Sequence, residues 1–189
     1  MTFMRPPQLT LPLLLAALAC RPGPADRPPA ADPTMPATAD AAPWTIRLDG
    51  VGRLTFGMSL AEARAALGDS LRVASPGGAC GFAVPGGAPA GVRFMVEQGS
   101  VVRVDVDSSG VRTAAGAAVG MSEADVRGHY PGGLRVRPHK YDPRGRYLIV
   151  QGSAPADSAR RLIFETDGQR VVRYRAGIMP SVEYVEGCA

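Results

Sequence analysis

The chain of 189 residues has no asparagine, one tryptophan, two histidines and one lysine, Lys140, set against twenty arginines. It has no run of 18 apolar residues, which excludes a membrane-spanning helix. Its two histidines, His129 and His139, stand ten residues apart and form no H-E-x-x-H zinc site, and no C-x-x-C, Walker-type GK[ST] or G-x-S-x-G pattern occurs. The net charge of +4 permits anionic partners, but with arginine used almost to the exclusion of lysine it reflects residue bias as much as function. Aromatic residues are scarce and unevenly placed. Ten of the eleven lie at or after Trp44, whereas ten of the eighteen prolines lie before it. That distribution describes a tail joined to a folded part, and excludes a collagen-like or wholly disordered chain.

The tail has an internal order. Arg5 precedes a mostly apolar stretch at residues 9–18, which is too short to span a bilayer and reads as a secretory signal. Ala17-Leu18-Ala19-Cys20 resembles the lipobox of bacterial lipoproteins, with Ala17 where a large aliphatic residue is usual. The resemblance implies cleavage after residue 19 and acylation of Cys20. Arg21 in place of an aspartate then implies the outer membrane. Fourteen of the 23 residues at 21–43 are proline or alanine, too little to bury and too stiff to collapse. The expected organisation is a signal peptide (1–19), a lipidated cysteine with a disordered tether (20–43), and two folded repeats (44–113 and 114–189).

The repeats rest on a duplication. Residues 57–73 and 120–136 align without gaps and share eight of 17 positions, opening Gly57-Met58-Ser59 and Gly120-Met121-Ser122. Ser59 with Glu62, and Ser122 with Asp125, are capping boxes that start short helices. Gly68 suits the left-handed position after the first helix, and Pro131 stops the second. Val102, Val104 and Val106 alternate with Arg103, Asp105 and Asp107, predicting a strand with one buried and one charged face. Hairpins are expected across Gln98-Gly99 and Asp167-Gly168, and 182–185 alternates like an edge strand. The expected class is α+β, two copies of a short helix followed by an antiparallel sheet. Phe56-Gly57-Met58-Ser59, Glu62 and Leu67-Gly68 resemble the opening of SmpA/OmlA-type outer-membrane lipoproteins, and the tandem arrangement is similar to the β-lactamase inhibitory protein. Those resemblances imply a helical element on an antiparallel sheet and transfer no binding residue.

Chemistry-bearing patterns are few. His129, His139 and Asp142 lack a ligand spacing, so no metal, cofactor or catalytic residue is expected and the chain reads as no enzyme. Residues 135–147 stand out, with Arg135, Arg137, His139, Lys140, Tyr141, Arg144 and Arg146 in a proline-stiffened loop. Arginine and tyrosine at such density suit an anionic contact, whether an acidic protein face, a lipid phosphate or a glycan. A solvated, arginine-biased loop is the plainer alternative. Once Cys20 is set aside, Cys80 and Cys188 form an even pair in an exported domain, and a bridge between them is expected, with two free thiols the alternative. The expected function is a periplasm-facing lipoprotein of the outer membrane that binds or scaffolds another envelope protein, as a monomer and without nucleic acid. It touches the membrane through its acyl anchor alone. A secreted hydrolase inhibitor and a binder of an anionic envelope ligand are the alternatives.

Overall fold

A computed structural model of the protein describes residues 44–68, 71–74 and 78–188. The signal peptide, Cys20 and the tether expected from the sequence lie outside the described residues.

Two strands, β1 (Gly50–Val51) and β2 (Leu54–Thr55), pair as a small antiparallel ribbon ahead of helix α1 (Leu60–Leu67). Helix α1 starts where its sequence dictates. The Ser59 backbone N–H donates to Glu62 Oε2 at 2.8 Å, Ser59 Oγ accepts from the Glu62 N–H, and Gly68 ends the helix at φ 75°. Strands β3 (Leu71–Val73), β4 (Cys80–Pro85), β5 (Val92–Glu97) and β6 (Ser100–Val106) follow. Helix α2 (Glu123–His129) opens on the Ser122–Asp125 box. After it come β7 (Arg135–Pro138), β8 (Arg146–Gln151), β9 (Arg160–Thr166) and β10 (Val171–Ile178).

The eight strands from β3 onward form one antiparallel sheet in the order β3-β4-β5-β6-β10-β9-β8-β7. This overturns the expected pair of helix-on-sheet copies. Strand β10 pairs with β6, Arg175 opposite Asp105 and Ala176 opposite Val104, so strands from both halves of the chain share a single hydrogen-bonded ladder. Helices of eight and seven residues bury one side chain each, Ala63 and Val126, too little to form a layer. The fold is mostly β. Residues 182–185 do not form an edge strand either. Ser181–Glu183 is a 3-10 turn inside a strap, residues 179–188, that lies against the sheet.

The two faces of the sheet differ in chemistry. On one, Phe94, Val104, Val106, Leu148, Phe164 and Tyr174 pack beneath Ile46, Val51, Leu54 and the two helices. Phe164 meets Tyr174 with ring centroids 5.4 Å apart, and the Tyr174 hydroxyl donates to the Val111 carbonyl at 3.0 Å. Burial pushes the phenol of Tyr174 well above its usual range. The other face carries the charged positions of β6, β9 and β10, and the strap covers part of it.

Candidate functional site

Two regions carry the charged chemistry. The first is the tip of the β7–β8 hairpin, the stretch 135–147 read from the sequence as a loop. Its first four residues are instead the terminal strand β7. His139 organises the turn that follows. Its Nδ1 accepts from the backbone N–H groups of Tyr141 (3.2 Å) and Asp142 (3.1 Å), which leaves the ring proton on Nε2, directed at Glu165 Oε2 at 3.4 Å. The ring stacks on Tyr147 at 4.7 Å. His139 is thereby a structural pivot, with both nitrogens engaged. Gly145 closes the turn against β9, where a Cβ would lie 2.6 Å from the Thr166 carbonyl oxygen, and no other residue fits. Gly168, at φ 95°, seats the β9–β10 turn against the Arg144 backbone in the same way.

The cations of this tip are engaged to different degrees. Arg137 pairs with Glu183 at 3.3 Å and Lys140 with Glu186 at 2.7 Å, and the Tyr141 hydroxyl also donates to Glu186. Hydrogen bonds from Lys140 and Tyr141 hold the Glu186 carboxyl below its usual range. Arg146 reaches Glu123 at the start of α2 at 3.0 Å, and Glu123 in turn accepts from Thr166 Oγ1 at 2.6 Å. Arg144 is 3.7 Å from Asp142 with a side chain 83% exposed, and Arg135 is exposed with no ion pair. Between the two hairpin tips lies an open depression of about 560 Å3, lined by Val136, Pro138, Pro143, Arg144, Arg146 and Gln169. It offers guanidinium groups beside apolar surface.

The second region was not singled out from the sequence. Beneath the strap, Arg103 Nε contacts both oxygens of Asp105 at 3.2 and 3.0 Å, and its Nη1 donates to the carbonyls of Ser181 (3.0 Å) and Tyr184 (2.6 Å). Arg175 pairs with Glu165, donates to the Val182 carbonyl at 2.6 Å and lies over the Tyr147 ring. Desolvation pulls the Arg175 guanidinium below its usual range, and Glu165 opposes the shift. The alternation of β6 had marked Arg103 and Asp105 as a solvent face, yet both are nearly fully buried because the strap lies over them. The signal available in the sequence was opposite charges on neighbouring strands, Glu165 in β9 and Arg173 and Arg175 in β10.

The strap is fixed by a disulfide between Cys80 at the start of β4 and Cys188, with Cα atoms 5.5 Å apart across 108 residues of sequence. The bridge expected from cysteine parity is present, and such a bond belongs to an oxidising compartment. Among the described residues no helix is long and apolar enough to cross a membrane, and no cluster of three or more His, Cys, Asp or Glu could hold a metal ion.

No family model matches the chain, and no curated protein does. Two solved structures are similar to it. An extracellular protein containing a SCP domain from Bacillus anthracis shares 15% identity over 66% of this chain, with a TM-score of 0.43. The chain spans 44% of that protein's length. The uncharacterised protein YfeY from Escherichia coli shares 17% identity over 70% of this chain and 99% of its own, with a TM-score of 0.44. Neither likeness carries an argument about fold or function at these scores.

Proposed function

We propose that the folded part is a non-enzymatic binding module of the bacterial envelope, held to the outer membrane by an acyl group on Cys20 and by the tether 20–43, and that it engages an acidic face of another envelope protein. The observation that carries this reading is the β7–β8 tip. His139 and Gly145 fix the turn, and Glu183 and Glu123 hold Arg137 and Arg146 beside an open depression, so the backbone and these two side chains have little freedom left to lose on binding. Arg135 and Arg144, which have the weakest internal pairing, are the first contacts, and Arg137 and Arg146 exchange intramolecular partners for the acids of the ligand.

The test is recovery of partners from detergent-solubilised envelopes by the wild type and by a variant with Arg135, Arg137, Arg144 and Arg146 all changed to Ser. The reading expects an envelope assembly to be recovered by the wild type and lost by the variant at low salt, with a smaller difference at high salt because exposed charges are screened. Recovery of a soluble hydrolase would move the function to inhibition. Equal recovery at low salt by both chains would remove the tip from the interface. Palmitate labelling of wild type and Cys20→Ala tests the anchor, which is abandoned if both incorporate label equally.

A further inference from the structure

On the strap side of the sheet, the arginines of the central strands and those near the β3 border differ in their partners. Arg103, Arg173 and Arg175 all reach a carboxylate. Among the described residues, Arg72 on β3 and Arg93 on β5 reach none. Arg93 stands opposite Asp105 in the β5–β6 ladder, but both carboxylate oxygens of Asp105 are held by Arg103. The Arg93 guanidinium lies over the Phe82 ring at 5.2 Å, with its Nε buried and without a hydrogen-bond partner. A buried donor left unpaired is costly, and it is the kind of group that an incoming acceptor satisfies.

The neighbours complete a surface. Val84 on β4 is opposite Arg72, and since Ala83 is opposite Phe94, the register carries Val84 alongside Arg93. Val84 is 49% exposed. Two cations thus flank an exposed aliphatic side chain, with an aromatic ring beside them. They lie at the β3 border of the sheet, where no further strand intervenes.

We propose that Arg72, Phe82, Val84 and Arg93 form a docking surface for an extended, acidic segment of a partner protein, one that presents carboxylate, aliphatic and carboxylate side chains in turn on a single face. The two guanidiniums are separated by one intervening strand, about 10 Å between backbones. Carboxylates four residues apart on an extended chain share one face and lie about 13 Å apart, within reach of two long arginine side chains. The aliphatic residue midway between them, two positions from each, shares their face and covers Val84, and one carboxylate accepts from the Arg93 guanidinium. Charge-assisted arginine–carboxylate hydrogen bonds are the strong class of such contacts. This surface is separate from the β7–β8 tip, at the opposite border of the same sheet.

The experiment uses the full chain with its disulfide intact, labelled with 15N, and follows arginine Nε–H resonances, that of Arg93 being assigned by its loss in Arg93→Lys. The probes are the capped peptides acetyl-Glu-Ser-Leu-Ser-Glu-amide and acetyl-Gln-Ser-Leu-Ser-Gln-amide, and inorganic phosphate. The expected result is a saturable shift of the Arg93 signal with the glutamate peptide alone. Binding should weaken at least tenfold in Arg72→Ser/Arg93→Gln and at least threefold in Arg72→Ser, whose exposed side chain carries no structural role. Arg135→Ser/Arg144→Ser should stay within twofold of wild type. No shift at Arg93, an equal shift with the glutamine peptide or with phosphate, or insensitivity to Arg72→Ser overturns the proposal. A response confined to Arg135 and Arg144 also overturns it while leaving the tip reading intact, so the two readings fail separately.

Discussion

The two parts of the sheet's strap side show opposite solutions to the same problem, arginine in a strand. Beneath the strap, Arg103 and Arg175 are almost fully buried, and each has both a carboxylate and a strap carbonyl as acceptor. Beyond the strap, Arg72 and Arg93 have neither among the described residues, and Arg93 Nε is buried without an acceptor. Burial of charge is tolerated where geometry supplies every acceptor, and breaking such a pair costs far more than its net contribution to stability. The strap is what separates the two situations, because its backbone contributes the carbonyls that complete the first set. One part is internally complete, and the other has unused bonding capacity.

Removing the strap's anchor is expected to break this comparison most severely. Reduction of Cys80–Cys188, or Cys188→Ser, opens a loop that spans 108 residues of sequence, for which the chain-entropy model gives at most about 4.7 kcal/mol. Urea unfolding with and without reductant should show the loss. Hydrogen exchange at 181–184 should speed up before the β5 and β6 amides respond. Glu165→Ala comes next, at about 3 kcal/mol, because it leaves buried Arg175 without its carboxylate. The joint change Glu165→Leu with Arg175→Met should restore most of that stability in the same unfolding assay. If the double variant is as unstable as the single one, charge pairing is not what the strap protects.

The opposite face of the sheet sharpens the comparison, since it buries the neutral phenol of Tyr174 and no ion pair among the described residues, where the strap side buries ions. The Tyr174 phenol is raised in the folded state, so its contribution to stability is fully present below about pH 10 and is lost as pH climbs through the folded value. Thermal unfolding between pH 9 and 11 should show a fall in stability that is shallower in Tyr174→Phe. The smallest effect is expected at Arg144→Ser, whose side chain is mostly in solvent and should change stability by no more than about 0.5 kcal/mol. A larger loss would mean that the tip is held by its arginines and not by His139.

Local signals in the sequence were accurate where short-range chemistry decides the outcome. The boxes at Ser59–Glu62 and Ser122–Asp125 cap their helices, Gly68 is left-handed, and the Gln98-Gly99 and Asp167-Gly168 turns join the hairpins expected of them. Cysteine parity found the Cys80–Cys188 bond. The fold class failed because it depends on the pairing of β6 with β10, about seventy residues apart, which no local pattern encodes. Strand β7 was missed for a related reason. Arg135-Val136-Arg137-Pro138 reads as a charged loop, and only its partner β8 makes it a strand. The site suffered most from the strap. Alternation in β6 identified which residues share a face, yet it could not reveal that residues 179–188 would fold back over Arg103 and Asp105 and bring Glu183 and Glu186 to Arg137 and Lys140.

The central position of β10 bears on how the molecule is made. Strands β3 to β6 can pair as soon as they are synthesised, and so can β7 to β10, because each neighbour follows closely in sequence. Joining the two groups waits for β10 to find β6, a contact of high sequence separation that belongs to the slow end of folding, milliseconds to seconds. Until then each group presents, besides its outer strand β3 or β7, a second naked edge, β6 or β10, with unpaired backbone groups and apolar side chains. Such edges recruit other chains. A molecule crowded with its own copies before that closure has two complementary templates for exchanging halves, so refolding yield should fall steeply with protein concentration.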